Sequence, residues 1–112
     1  MSDCLFCKII HGEIPSKTEY QDDDVFAFHD INPQAPIHLL VVPKKHIAKV
    51  GDLEKEHISL MGTLLLRAKE IAARKGCNDY RLVFNNGPQA QQTVYHIHLH
   101  LISGRQMSWP PG

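Results

Sequence analysis

The spacing of apolar and polar residues predicts five short β-strands. Residues 25–30 and 38–43 are rich in β-branched and aromatic side chains, and turn-forming residues bound each run. Three further runs of this character lie at residues 17–21, 80–85 and 95–102. Three consecutive aspartates separate the first two strands along the chain and suit a hairpin turn, so we expect an antiparallel sheet.

Apolar residues that recur at intervals of three and four predict one long helix between the third and fourth strands. Asp52 is a suitable N-cap and Gly76 a suitable terminus. The apolar stripe expected to pack on the sheet consists of Ile58, Met61, Leu65, Ala68 and Ala72. With a short helix at residues 5–10, the pattern indicates a single α+β domain over residues 1–112, in which the long helix serves packing alone.

Composition narrows the class of partner. The 112 residues include twelve basic and twelve acidic side chains, and 43% are hydrophobic. This balance leaves no overall positive field for nucleic acid or an acidic membrane, so a small molecule is the expected partner. The N-terminal residues resemble neither a signal peptide nor a membrane span, and we therefore expect a cytoplasmic protein.

Cys4 and Cys7 form a Cys-x-x-Cys spacing. In a chain without export signals, this spacing indicates metal or redox chemistry rather than a disulfide framework. It supplies only two of the ligands that a zinc ion needs, and the alternative is that both thiols simply pack in the first helical turn. Cys77 is expected to be a small, half-buried apolar residue.

His96, His98 and His100 alternate with apolar residues, so on a strand the imidazoles would share one side. Such a set can bind a catalytic zinc, or it can provide a neutral imidazole nucleophile for phosphorus. The preceding loop carries hydrogen-bond donors for a phosphate, and no acidic residue lies nearby in sequence to act as a base. These neighbours favour the nucleophile. The donors are Asn85, Gln92 and Thr93.

The strand at residues 25–30 carries a second polar feature. Its period of two places Phe26, Phe28 and Asp30 on one face. A carboxylate is therefore expected beside two aromatic rings.

The run His96 to Ile102, preceded by Gln92 to Tyr95, resembles the motif of the histidine triad superfamily. Further stretches are similar to its Hint branch, the histidine triad nucleotide-binding proteins, and the resemblance covers almost the whole chain in order. These stretches are residues 6–10, 13–15, 27–36, 38–47 and 104–112. The chain departs from the branch at Gln91, where many members have glycine, and at Ser103.

The resemblance implies a fold whose homodimer joins two five-stranded sheets, and a purine nucleoside phosphoramidase activity without a catalytic cofactor. His98 would be the nucleophile, His100 would support the phosphate and leaving group, and His38 would help to orient His98. A neighbouring histidine is also the natural acid for the departing amine. The implied catalytic set is His38, His96, His98 and His100.

The same resemblance implies the remaining site residues. Asp30 would accept hydrogen bonds from the ribose, aromatic and aliphatic side chains would enclose the base, and Trp109 would reach the partner subunit's site. The implied nucleotide-binding positions are Phe6, Ile9, Phe28, His29, Asp30, Ile31, Asn85, Gln91, Thr93, His98, His100 and Trp109. A structural zinc would be held by Cys4, Cys7, His46 and His96.

Three functions are therefore open. The favoured one is hydrolysis of the P–N bond in purine nucleoside monophosphates that carry an amine. The second uses the same nucleophile on dinucleoside polyphosphates, and the third is nucleotide binding by an interaction protein with incidental turnover. Catalysis by zinc is the remaining alternative, and it predicts loss of activity with a chelator.

Overall fold

The structure, a computed structural model, describes residues 3–112. One antiparallel sheet has the strand order β1-β2-β3-β5-β4. Its strands are β1 Thr18–Gln21, β2 Val25–His29, β3 Ile37–Pro43, β4 Tyr80–Phe84 and β5 Leu99–Ser103. The predicted α+β fold class is confirmed, and the aspartate turn joins β1 to β2 as expected.

The two faces of the sheet are covered differently. The long helix α2, Ile58–Arg74, packs over a core that contains Val25, Leu39 and Leu101. The short helix α1, Leu5–Ile10, lies on the opposite face. Alternate strand residues point to opposite faces, so the face under α1 receives Phe26, Phe28, Leu40 and Val42.

The start of α2 differs from the prediction. Asp52 ends a 3-10 turn, Val50–Asp52, and caps no helix. A second turn, Lys55–His57, follows, and the N–H of Glu54 donates to Nδ1 of His57 at 2.9 Å, just before the helix begins. This hydrogen bond belongs to the turn, and at the N-cap position of α2, His57, no side-chain cap takes the place of the expected aspartate. The predicted end holds, because Gly76 has a φ of +74° beyond Arg74.

The predicted packing stripe of α2 is also partly wrong. Ile58 and Leu65 are 71% and 46% exposed. Ala68 and Ala72 are buried as predicted and Met61 packs against the core, whereas Leu64 and Ile71 take the places expected for Leu65 and Ile58. The buried residues are Leu64, Ala68, Ile71 and Ala72.

Strand β5 begins at Leu99, four residues later than predicted. Its partner β3 ends at Pro43, which has no N–H to continue the ladder. The chain before β5 is held instead by the N–H of Ile97, which donates to the carbonyl of Ile47 at 2.6 Å. His96 and His98 therefore lie on an irregular segment that leads into the strand.

Within residues 3–112, neither helix has the length and apolar character needed to cross a bilayer.

Candidate active site

The sheet brings His38 and His100 together on the face opposite α2. His100 lies beside Leu40 in the pairing of β3 with β5, and His38 is one diagonal step away. Nε2 of His38 is 2.9 Å from Nδ1 of His100. The ring of His98 follows, with its centroid 5.0 Å from that of His100. Three imidazoles thus form a continuous row.

His98 has one free ring nitrogen. Its Nδ1 lies 2.8 Å from the carbonyl oxygen of His96, so Nδ1 carries the proton and donates it. Nε2 then holds the lone pair. Burial lowers the pKa of His98, although Asp30 opposes this shift, and the ring is therefore neutral at pH 7. A neutral imidazole with a free Nε2 is competent as a nucleophile.

His38 is buried, and its Nε2 contacts Nδ1 of His100. The N–H of Gln34 donates to its Nδ1 at 3.0 Å, and Oδ2 of Asp30 lies 3.4 Å from its Nε2. The orienting role that the resemblance implies for His38 would therefore reach His98 through His100.

Burial lowers the pKa of His100 to about 4, with contributions from neighbouring His98 and His38. An unfolded chain has an ordinary imidazole pKa near 6.5 and so binds this proton first as the pH falls. The contribution of His100 to the free energy of unfolding is present above pH 6.5 and is lost as the pH falls towards 4. We expect the urea midpoint of the protein to decrease over this range.

The variant His100→Asn tests the origin of this pH dependence by urea unfolding between pH 7.5 and 4. Its midpoint should change less steeply with pH than that of the wild type. The exposed His11 provides the control, because His11→Asn should keep the wild-type slope. Equal slopes for His100→Asn and the wild type would contradict the assignment.

An aromatic wall borders the histidines, as the sequence predicts for Phe28 and Asp30. The ring of Phe6 meets His98 edge-on at 5.1 Å between centroids and Phe28 at 5.3 Å. Ile9 is buried in the same cluster. Asp30 follows β2, and its Oδ1 accepts from the N–H of Asn32 at 2.8 Å. An apolar surface, a carboxylate and a row of imidazoles therefore adjoin one another.

Three implied residues lie apart from this cluster. His29 points away from Phe28, and its Nε2 is 2.9 Å from Glu19, which also accepts from Lys75 near the end of α2. Ile31 and Trp109 are 100% and 81% exposed. Within a single protomer, the structure does not bring these three side chains to the histidines.

The loop before the histidines uses its side chains differently from the prediction. Gln92 is buried, and its amide bonds the N–H of Gly87 and the carbonyls of Ala48 and Val94. It fixes the loop and is not free to donate to a phosphate. Gln91 has a φ of +68°, in the left-handed region, and its side chain is exposed. Asn85 is half-buried and Thr93 exposed near the same loop.

Two contacts of the histidines with main-chain groups could not be predicted from the sequence. The carbonyl of Pro43 accepts from Nε2 of His96 at 2.7 Å, and the N–H of Gln34 reaches His38. The two main-chain groups belong to Pro43 and to Gln34, which follows Pro33. Side-chain patterns carry no signal for such bonds.

The four implied zinc ligands, which include His96, lie together. Nδ1 of His96 is 3.4 Å from Sγ of Cys4, 3.6 Å from Sγ of Cys7 and 3.2 Å from Nδ1 of His46. Tetrahedral zinc with ordinary bond lengths separates two nitrogens by roughly 3.3 Å, and a nitrogen from a sulfur by roughly 3.5 Å. The side chains are already spaced as this ion requires.

The tautomer of His96 also suits a metal at this cluster. His96 donates through Nε2 to Pro43, which leaves its Nδ1 lone pair directed at the cysteines. Burial raises the pKa of the Cys7 thiol to about 11, so Cys7 is not a reactive thiolate of the redox type. A cavity of about 450 Å³ borders Cys4 and His46 and provides a route from solvent.

Comparisons with known proteins agree with this arrangement. Residues 3–109 match the family model described as "Scavenger mRNA decapping enzyme C-term binding". A Legionella pneumophila structure called a HIT family hydrolase superimposes with a TM-score of 0.96 and 53% identity, covering 98% of this chain and 100% of that one.

Two plant proteins are similar over nearly the whole chain. The "14 kDa zinc-binding protein" of Zea mays is 52% identical, covering 99% of this chain and 89% of its own length. "Adenylylsulfatase HINT1" of Arabidopsis thaliana is 50% identical, covering 99% of this chain and 78% of its own length.

The sheet and its row of imidazoles define a protein of the alternating-histidine α+β class. With these matches, the chain belongs to the histidine triad family and is related to its Hint branch.

Proposed function

We propose that this chain hydrolyses the P–N bond of purine nucleoside 5'-monophosphoramidates through a nucleotidyl-His98 intermediate. The observation that carries the proposal is the 2.8 Å contact between Nδ1 of His98 and the carbonyl oxygen of His96, which assigns the ring proton to Nδ1 and leaves Nε2 as a free nucleophile beside His100. Similarity to a HIT family hydrolase supports hydrolytic chemistry in general.

The reaction has two displacements at phosphorus. Nε2 of His98 attacks the α-phosphorus and forms a new P–N bond, while the bond to the amine breaks and the departing nitrogen takes a proton from solvent. Water then attacks the same phosphorus and loses a proton to solvent, the bond to Nε2 breaks, His98 returns to its neutral form, and nucleoside monophosphate leaves. The first step exchanges one activated P–N bond for another, so its free-energy change is small.

His100 serves as a hydrogen-bond donor in this scheme. Its lowered pKa keeps the ring neutral at pH 7, so it holds no spare proton for the amine. A neutral N–H can stabilise a non-bridging phosphate oxygen as negative charge develops there. This assignment replaces the expected role of a neighbouring histidine as the acid.

The nucleotide would lie across the aromatic wall. Phe6 and Phe28 meet edge to face and provide apolar surface that suits a purine, and Asp30, which follows β2, suits the ribose hydroxyls. Asn85, Gln91 and Thr93 on the adjoining loop would face the phosphate side, with Gln91 offering chiefly its main-chain N–H. We place no nucleotide contact on His29.

Steady-state kinetics with two substrates test this proposal. We expect kcat/KM for adenosine 5'-phosphoramidate to exceed that for diadenosine tetraphosphate by about tenfold or more, a difference of about 1.4 kcal/mol in transition-state stabilisation. Faster hydrolysis of diadenosine tetraphosphate would favour the dinucleoside polyphosphate activity instead. Binding of AMP without turnover of either substrate would favour an interaction protein.

A second candidate substrate has a sulfate leaving group. The Arabidopsis relative is named an adenylylsulfatase. Sulfate departs as a stable anion and needs no proton, which suits a site whose neighbouring histidine is neutral. Adenylyl sulfate therefore belongs in the same kinetic comparison, where its kcat/KM would exceed that of the phosphoramidate if this candidate is correct.

We further propose that Cys4, Cys7, His46 and His96 hold a structural zinc. The interatomic distances fit the ion, and the maize relative is named a zinc-binding protein. Bound there, zinc would cross-link α1 to the segment before β5 and would take no part in the reaction.

We also propose a homodimer. Strand β4 is an edge of the sheet, and Leu82 on it pairs with Leu101, so Leu82 lies on the same face as α2. Leu82 is exposed beside this open strand edge, and Ile58 and Leu65 of α2 are exposed as well, so these apolar side chains are candidates for the interface. Sedimentation equilibrium should give twice the chain mass of 12.7 kDa.

A further inference from the structure

The turn between β2 and β3 places a main-chain amide on a histidine of the active site. The N–H of Gln34 lies 3.0 Å from Nδ1 of His38. An amide N–H can only donate, so Nδ1 of His38 must be the nitrogen without a proton. A neutral imidazole carries one ring proton, and in His38 that proton is therefore on Nε2.

This assignment determines the next ring. Nε2 of His38 is 2.9 Å from Nδ1 of His100, so His38 donates and Nδ1 of His100 accepts. The single proton of neutral His100 is then on Nε2. Burial lowers the pKa of both His38 and His100, which keeps the two rings in these neutral forms at pH 7.

Two hydrogen bonds stabilise the turn that carries the N–H of Gln34. The N–H of Asp30 donates to the carbonyl of His38 at 3.0 Å and closes the turn. Nε of Arg105, which follows β5, donates to the carbonyl of Gln34 at 2.8 Å. The donor that faces His38 is therefore part of a braced turn.

We propose that Gln34 is a positioning residue whose main-chain N–H sets the tautomers of His38 and His100, so that His100 presents Nε2–H to the phosphate. The catalytic consequence rests on the proposed function, whereas the tautomers do not. Without this N–H, the His38–His100 pair can adopt the opposite tautomers. His100 would then present a lone pair that repels phosphate oxygens.

The same bond opposes a metal ion at these residues. Asp30, His38 and His100 offer ligand atoms within 4.8 Å of one another, as a cation site would. A metal on Nε2 of His38 would force the ring proton onto Nδ1, where it would meet the N–H of Gln34. His96 shows the contrary arrangement, with its acceptor nitrogen free to bind a metal.

Two variants at one position test the proposal in the full-length protein. Gln34→Pro removes the N–H, and the matched control Gln34→Ala keeps it while losing the side-chain bond to the carbonyl of Asn32. Nitrogen-15 NMR of the imidazoles should give Nε2–H for His38 and His100 in the wild type and in Gln34→Ala. Gln34→Pro should show a mixture of tautomers.

Kinetics on the same samples should separate positioning from folding. We expect Gln34→Pro to lower kcat about tenfold or more with KM little changed, and Gln34→Ala to stay within about twofold of the wild type. Wild-type tautomers in Gln34→Pro would overturn the proposal. A wild-type spectrum with Nδ1–H on His38 or His100 would overturn it as well. This second measurement needs only the wild-type protein, so it tests the proposal even if Gln34→Pro does not fold. Absence of turnover with the expected spectra would contradict the proposed function alone.

Discussion

The variant His98→Asn is expected to lose turnover by a factor on the order of 10⁴ or more while it still binds AMP. Asparagine keeps a polar side chain of similar reach but has no lone pair basic enough to attack phosphorus. Contacts to the base and ribose come from other elements, so the dissociation constant of AMP should change by no more than about threefold. Rapid-quench kinetics and calorimetry measure the two quantities on one preparation.

His11→Asn is the matched control, because His11 is exposed and lies after α1, outside the row of imidazoles. It should retain wild-type kcat and KM. A phosphoramidase activity that survives in His98→Asn would remove His98 as the nucleophile. Loss of AMP binding together with activity, in a protein that melts normally, would show that His98 serves mainly to bind.

Removal of the proposed zinc should have the second large effect. We expect Cys7→Ser to lose the ion and to lower Tm by about 10 °C or more, since the binding free energy of a structural zinc is realised as folding free energy. A chelator should lower the Tm of the wild type in the same way and leave Cys7→Ser unchanged. Metal content and thermal unfolding are measured on the same samples.

Cys77→Ser is the control for replacing a buried thiol. Cys77 is buried in the core under α2, outside the metal cluster, so this variant should keep its zinc and lose about 1–2 kcal/mol of unfolding free energy. Full zinc content in Cys7→Ser would contradict the assignment. A wild-type Tm that does not respond to chelation would contradict a structural role for the ion.

Alternation and spacing in the sequence predicted which histidines share a side. Ile97 and Leu99, the apolar residues between the histidines, are buried, and His98 and His100 are left on the side of Phe6 and Phe28. Phe26 and Phe28 of β2 also lie on one face, as its period of two predicts. These features are local in sequence, and local patterns report them well.

Other features depend on contacts that no local pattern contains. Leu64 and Leu65 are equally apolar neighbours on α2, and only the sheet decides which of them is buried. The late start of β5 depends on Pro43 in a distant strand, and the partner of His38 depends on the register of β3 with β5. Tertiary pairing settles each of these choices.

His96 links the proposed zinc site to the proposed nucleophile. Its side chain faces the cysteines, and its carbonyl oxygen accepts the hydrogen bond from Nδ1 of His98. To remove the proposed zinc without disturbing His98, a cysteine should therefore be changed and residue 96 left alone. For the same reason, a relative without the two cysteines still needs the same main-chain conformation at this position, so that the carbonyl oxygen can accept the hydrogen bond from His98.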